Sequence, residues 1–392
     1  MVESIQEESI RTKFDNLTLM QKAIVGVVLL LFALWVIFVF VILINPNKNV
    51  NFRFNIVSIL LNGLLWGSMY LALAVGLTLT YKLLGFPNFA HAEFMVIGGF
   101  TGIALQRSGL LGDGFGLYFG AIIIAFVFTG IIAIVSDLIV FKPLRQRDAS
   151  YQTLMITSLG LSLVLRGIVL LIFGNDNQSF SPKIASGFVN LPNFRVDITH
   201  DLVIPHPVFG SFPIFSNNFL ATVLIILMVF GIYYFLQTTR QGKAMRAVSD
   251  NADLAAASGI NVERINQISW FIGGGSAGVA GIFYAQLFIF RAETGVIFLL
   301  PAFAVIVLGT VGSIVGVFIA AFVLGYIRVI SLPILSGLGT AFNRTAYTSL
   351  IDVTPFIVLI IVLLFYDKGI GQVIEDARIE QLKAEIQGDE HE

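Results

Sequence analysis

The sequence predicts an all-α, polytopic transmembrane helical bundle of about ten membrane segments, some of them broken or re-entrant. Three observations carry this. Of 392 residues, 57% are hydrophobic and only 12% charged, about half the charged share of a soluble domain. Apolar runs long enough to cross a bilayer core of about 30 Å recur from residue 23 to residue 366. Those runs lack the strict alternation of barrel strands, so helices must satisfy their backbones in lipid.

The segments, in order, are 23–44, 55–80, 89–106, 116–140, 151–173, 219–238, 266–290, 296–311, 313–332 and 346–367. The first has 22 uncharged residues and no small-x-small site after it, so it reads as a retained span and not a cleaved leader. Segments 296–311 and 313–332 are joined by a Gly-rich turn and fit either two short spans or a re-entrant pair. The loop 174–218 holds five of the eleven prolines and β-like runs at Val196–Ile198 and Leu202–Ile204, which predict a small cap or hairpin.

Orientation follows from flanking Lys and Arg. With the N-terminus inside, fourteen fall in cytoplasmic segments, seven fall in outer loops, and Arg166 and Arg328 lie within spans. Both termini are therefore expected in the cytoplasm. The chain divides into 1–54, an N-terminus plus an extra first helix; 55–371, the transport core with outer loop 174–218 and cytoplasmic loop 240–264; and 372–392, a charged tail.

Composition also excludes. A net charge of −1 offers no basic field for nucleic acid. The absence of cysteine removes disulfides, thiolate zinc sites and thiol catalysis. There is no GxxxxGK[ST] phosphate loop, no HExxH and no other cofactor motif, so no cofactor, metal or catalytic residue is assigned. ATP, if it drives this chain, is hydrolysed elsewhere. Ser276 sits in a formal nucleophile-elbow pattern, but without strand-turn-helix context or a partner histidine.

Two stretches stand out. In Gly76–Gly99, Lys82, Gly85, Pro87, Asn88, His91 and Glu93 interrupt an apolar run, which is costly in lipid. Pro87 forbids a continuous helix, so a break is expected at 84–88, with Asn88 capping the restart. Asn88, His91 and Glu93 are candidates for the translocation path, with a sealed structural break as the competing reading. Two positions apart, His91 and Glu93 point to different faces.

The second is the loop 239–266. Lys243–Ser258 is rich in helix formers and lacks proline, and Gly259 supplies a stop. Asp253, Leu254, Ala255 and Gly259 form an acidic-x-Ala-x3-Gly pattern that suits a short helix docking on another protein, with Arg246 beside it. Glycine, alanine and serine crowd Gly273–Gly281 and Leu308–Gly325, as close helix packing in membranes requires.

In order, GLTLTYKLLGFPNFAHAEF (76–94), FKPLR (141–145), SLGLSLVLRGIVLLIFG (158–174), RQGKAMRAVSDNADLAAASGIN (240–261), GGGSAGVAG (273–281), VLGTVGSIVG (307–316) and Tyr366-Asp367-Lys368-Gly369 resemble the branched-chain amino acid permeases of ABC importers. The resemblance spans about residues 56–371. It implies a subunit embedded in membrane lipid that pairs with a second homologous permease, rests on two ATP-binding subunits through 240–261, and receives substrate from an extracytoplasmic binding protein. The extra span, the enlarged outer loop, Ala92 where glycine is usual and Lys82 in place of a small residue depart from the pattern. Substrates within that resemblance include urea and short amides; a secondary transporter and an intramembrane enzyme are the readings from other classes.

Overall fold

The computed structural model describes residues 56–181, 188–191, 194–197, 202–206, 210–214, 216–342 and 345–365. The predicted span 23–44 and the charged tail 372–392 lie outside the described residues. Twelve α-helices run through the described chain: α1 Ile56–Leu84, α2 His91–Ser108, α3 Phe115–Ser136, α4 Lys142–Arg145, α5 Tyr151–Phe173, α6 Ser216–Thr238, α7 Arg240–Asp250, α8 Ala252–Ala257, α9 Val262–Leu287, α10 Thr294–Gly309, α11 Ile314–Phe342 and α12 Thr354–Phe365. Six stretches among the described residues are long and apolar enough to cross a membrane, on α1, α3 continued through α4, α5, α6, α9 and α11. The 16 residues of α10 extend only about 24 Å at 1.5 Å per residue, short of a bilayer core. The predicted segment 346–367 divides into a 3₁₀ helix, Thr345–Asp352, and α12.

Helix α9 is the centre of the bundle. It packs on α1, α2 and α3 at once, and its glycines permit this. A Cβ added at Gly278 would strike the Thr129 side chain, one at Gly281 the Met95 carbonyl oxygen, and one at Gly98 of α2 the Gly278 backbone. Without hydrophobic pressure between helices in lipid, close backbone approach supplies the dispersion contacts that hold them together. Helices α1 and α11 meet in the same way, with Gly67 and Gly325 backbone to backbone.

Helix α3 does not stop at Ser136. Pro143 has no N–H for the carbonyl four residues back and its ring crowds that carbonyl; the preceding turn opens into a π-helical stretch, Asp137–Phe141, in which the Lys142 N–H donates to the Asp137 carbonyl. The widened turn buries Asp137, whose carboxylate accepts from Arg145 at 2.6 and 3.2 Å.

Two sets of loops mark opposite ends of the bundle. At one, Gly85 adjoins the Tyr151 ring, Gly312 adjoins Lys82, and Lys142 pairs with Glu263 at 3.6 Å. At the other, Gln178 bridges Phe290 by backbone hydrogen bonds, and Gln106 exchanges two with Ser181, at 2.8 and 3.0 Å. The predicted cap is two antiparallel hairpins, β1 Phe188–Leu191 with β2 Phe194–Asp197, and β3 Leu202–His206 with β4 Gly210–Ile214.

Near the second end, Arg328 of α11 donates to Asp352 at 2.5 Å and to the Tyr70 hydroxyl at 3.3 Å, and its guanidinium lies 4.0 Å from the centre of the Trp66 ring. Trp66 stacks on Phe298 in turn. One charged residue thereby joins α1, α10, α11 and the 3₁₀ segment.

Candidate functional site

The break between α1 and α2 falls where Pro87 demands it. Helix α1 ends at Leu84, Gly85 takes φ +77°, and the chain turns before α2 begins at His91. Asn88 does not occupy the predicted cap position: Ala90 does, without a side-chain bond, while Asn88 Oδ1 accepts from the Ala90 N–H at 3.0 Å. The polar side chain thus satisfies a donor before the helix starts, because Pro87 holds residues 88–90 in a turn and delays the first helical residue.

His91 Nε2 donates to the Leu73 carbonyl at 3.2 Å. Leu73 lies 11 residues before the end of α1, about 16 Å along its axis, so α2 starts deep inside the bundle. Asn88, His91 and Glu93 are all buried to within 1% of full occlusion. As their spacing predicts, His91 and Glu93 face different helices. The structure brings both to the break but not to one shared group.

Glu93 faces α5, and its partners there were only partly legible. Ser158, Ser162 and Arg166 follow one another at four-residue spacing, one face of a helix. Ser158 Oγ accepts from the Phe89 N–H at 3.0 Å, Ser162 donates to Glu93 Oε1 at 3.2 Å, and Arg166 Nη2 pairs with the same oxygen. Ser162 is midway along α5, about 16 Å from either end. A charge there costs about 2.5–3.5 kcal/mol on insertion scales even for a tolerated residue, so the paired carboxylate and guanidinium are a built feature. The signal available in the sequence is the i, i+4, i+8 ladder of Ser158, Ser162 and Arg166.

The second candidate region lies at the end of the bundle that carries Gly85 and Lys142. The single helix expected over Lys243–Ser258 is two. Asn251 adopts extended φ −157° and ψ 104°, closing α7 and capping α8 by accepting the Leu254 N–H at 2.9 Å. Asparagine competes with helix by bonding local backbone, a preference that outweighed the helix formers around it. Gly259 does adopt a left-handed conformation, φ +84°. Its N–H donates to Ala256 and that of Ile260 to Ala255, at 2.9 and 3.0 Å, the paired bonds of a Schellman stop.

Arg246 belongs to the scaffold under α8. It donates to the Leu236 carbonyl at 3.0 Å and to Gln237 Oε1 at 2.5 Å, fixing α7 against the end of α6. On α8, Ala255 faces inward at 4% exposure while Asp253 is exposed and Leu254 stands 65% exposed. Close by, Asn261 caps α9 through Arg264 N–H at 3.0 Å, and Glu263 meets Lys142 and Arg145. The two-helix elbow therefore packs on α1, α6 and α9.

Ser276 lies within α9, fully buried, donating to the Gly273 carbonyl at 2.9 Å, and its oxygen abuts Gly76. It seals the α1–α9 contact. Among the described residues no group of three or more His, Asp or Glu is placed to hold a metal.

Comparison with known proteins places this architecture. The model of the branched-chain amino acid transport system permease component matches residues 59–363. The probable branched-chain amino acid transport permease protein LivH of Methanocaldococcus jannaschii is 29% identical over 317 residues, 80% of this chain and 92% of that protein. The high-affinity permease protein LivH of Escherichia coli K12 is 28% identical over 316 residues, 79% of this chain and 93% of that one. BraD of Pseudomonas aeruginosa is 27% identical over 315 residues, 79% and 94%. PsaBC of Streptococcus pneumoniae, solved in complex with Fab, aligns at TM-score 0.36 and 17% identity over 78% of this chain and 91% of that one, too far for structural inference. With the family model spanning the bundle from α1 to α12, this chain belongs to the family of permease components of branched-chain amino acid transport systems.

Proposed function

We propose that this chain is the membrane-spanning permease subunit of an ABC importer in the inner membrane, moving branched-chain or related amino acids with energy from ATP hydrolysed by separate subunits. In the working assembly it pairs with a second permease, homologous or identical, sits on two ATP-binding subunits, and accepts substrate from an extracytoplasmic binding protein. Both termini and the α7–α8 elbow face the cytoplasm. The chain itself performs no chemistry; it converts a push on α8 into alternate openings of the path near the α1–α2 break. Asn88, His91 and Glu93 border that path, and Asp253, Leu254, Ala255 and Gly259 make the docking element, with Arg246 positioning it.

The observation that carries this reading is the α8 elbow. A six-residue helix closed by an Asn cap and a Gly stop presents an exposed leucine, and the elbow it forms with α7 packs on α1, α6 and α9. A plain connecting loop has no use for such rigidity. The test is co-purification of the ATP-binding subunits with wild type, with Gly259→Val and with Glu385→Ala in the tail. No Cβ contact would form within 4 Å at Gly259, so valine acts through backbone strain alone, about 1 kcal/mol or more at this φ. Loss of the ATP-binding subunits from the valine variant only is the expected result. Retention at the control level, with unchanged transport, overturns the docking role.

A further inference from the structure

The ion pair at the middle of α5 has capacity that its own partners leave unspent. Arg166 Nη2 serves Glu93 and Ser162, while Arg166 Nε and Glu93 Oε2 have no protein hydrogen-bond partner. Glu93 is occluded, yet 21% of the Arg166 side chain is exposed. Its helix packs chiefly on α2. The rest of α5 is open: Leu163 and Val164 are 62% and 58% exposed, and nothing lies within 4 Å of a Cβ added at Gly160 or Gly167.

A partly exposed guanidinium about two turns inside a membrane helix has no stable place against hydrocarbon. Arg166 is seven residues, about 10 Å, from the nearer end of α5, but its head turns to Ser162 and Glu93 instead of reaching for that surface. The open side beside it therefore faces water or polar solute. What suits such a group is a planar anion, because the guanidinium fork matches a carboxylate through two parallel donors. A neutral amide or urea brings no charge to meet it. An α-amino acid brings a carboxylate for the exposed side of Arg166.

We propose that Arg166, oriented by Glu93 and Ser162, is the carboxylate-recognition residue of an intramembrane station on the translocation path, so that the path is built for zwitterionic α-amino acids and not for neutral amides. This rests on the importer reading given above. The substrate carboxylate then meets the exposed side of the guanidinium while Glu93 and Ser162 hold its buried side.

The absence of native cysteine makes the test clean. Leu163→Cys, one helical turn from Arg166, is placed in the assembled transporter in liposomes and treated with a charged methanethiosulfonate reagent. The cysteine is expected to react, as a lipid-facing thiol would not. L-leucine and 4-methylpentanoate, which carry the carboxylate, should slow labelling about tenfold at ten times the dissociation constant, since only unoccupied protein reacts. Leucinamide, which lacks it, should not. With Arg166→Gln added, labelling should persist and leucine should no longer slow it.

No labelling, equal protection by leucinamide, or full protection by leucine in Arg166→Gln each overturns the proposal. If that variant does not assemble, the contrast between leucine and leucinamide on the parent protein decides alone. ATP-dependent leucine uptake, measured in the same liposomes, separates the two claims: uptake without the carboxylate pattern refutes the station and leaves the importer, whereas absence of uptake refutes the importer.

Discussion

Gly281 of α9 lies against the Met95 carbonyl of α2 so closely that a Cβ built on it would overlap the oxygen. Backbone meets backbone there, and neither side can move a side chain out of the way. Gly281→Ala should therefore cost at least about 1–3 kcal/mol, the range for overpacking, and Gly281→Val should prevent accumulation of a monodisperse protein. Gly160→Val, on the open face of α5, should be tolerated. Thermal stability in detergent, followed by size-exclusion chromatography, checks both variants together.

The elbow gives a second pair of outcomes. Arg246→Ala removes the donor that holds the end of α6, leaving the Leu236 carbonyl short of a partner, so α7 should loosen and both assembly and transport should weaken in parallel. Leu254→Asp changes a side chain that touches solvent in this chain, so the isolated permease should keep its melting temperature while losing its ATP-binding subunits. Affinity capture of those subunits, alongside melting curves, distinguishes a positioning residue from a contact residue.

Arg328 and Asp352 should behave asymmetrically. Removing the aspartate strands a guanidinium that is only 10% exposed, whereas removing the arginine leaves a carboxylate 47% exposed and able to hydrate. Asp352→Ala should thus cost about 3 kcal/mol, and Arg328→Met, which also refills the space beside Trp66, should cost less. The double variant should return to the level of Arg328→Met. Melting temperatures of the three proteins test the order.

Much of the bundle was legible because its physics is local. Segment 151–173 coincides with α5, and the Pro87 break and left-handed Gly259 follow from ring geometry and from the missing Cβ. What escaped was set by neighbours or by competition between short-range preferences. Asn251 reads as an ordinary helix residue until its side-chain Oδ1 takes the Leu254 N–H and divides the helix. Glu93 was legible as an anomaly, but its partner was not, since 73 residues separate it from Arg166. Segment 116–140 already carried the helix past Ser136, but the π turn ahead of Pro143 and the pairing of buried Asp137 with Arg145 were not legible from it.

Topology rests on charge bias and has a direct test. A tag at Gln241 should be cut or labelled only from the cytoplasmic side, and one at Asn190, in the first hairpin, only from outside. Equal labelling of both from the outer face would reverse the assignment of the two ends.

The proposed role of this chain is to conduct amino acids under the power of other subunits. Its most direct measurement is uptake of radiolabelled L-leucine into liposomes holding the permease pair and its ATP-binding subunits, with the binding protein outside and ATP enclosed. Accumulation should need ATP, the binding protein and an intact Leu254, and should disappear with Leu254→Asp while the bundle stays folded. Accumulation by the permease alone, or uptake indifferent to ATP and to Leu254, would contradict it.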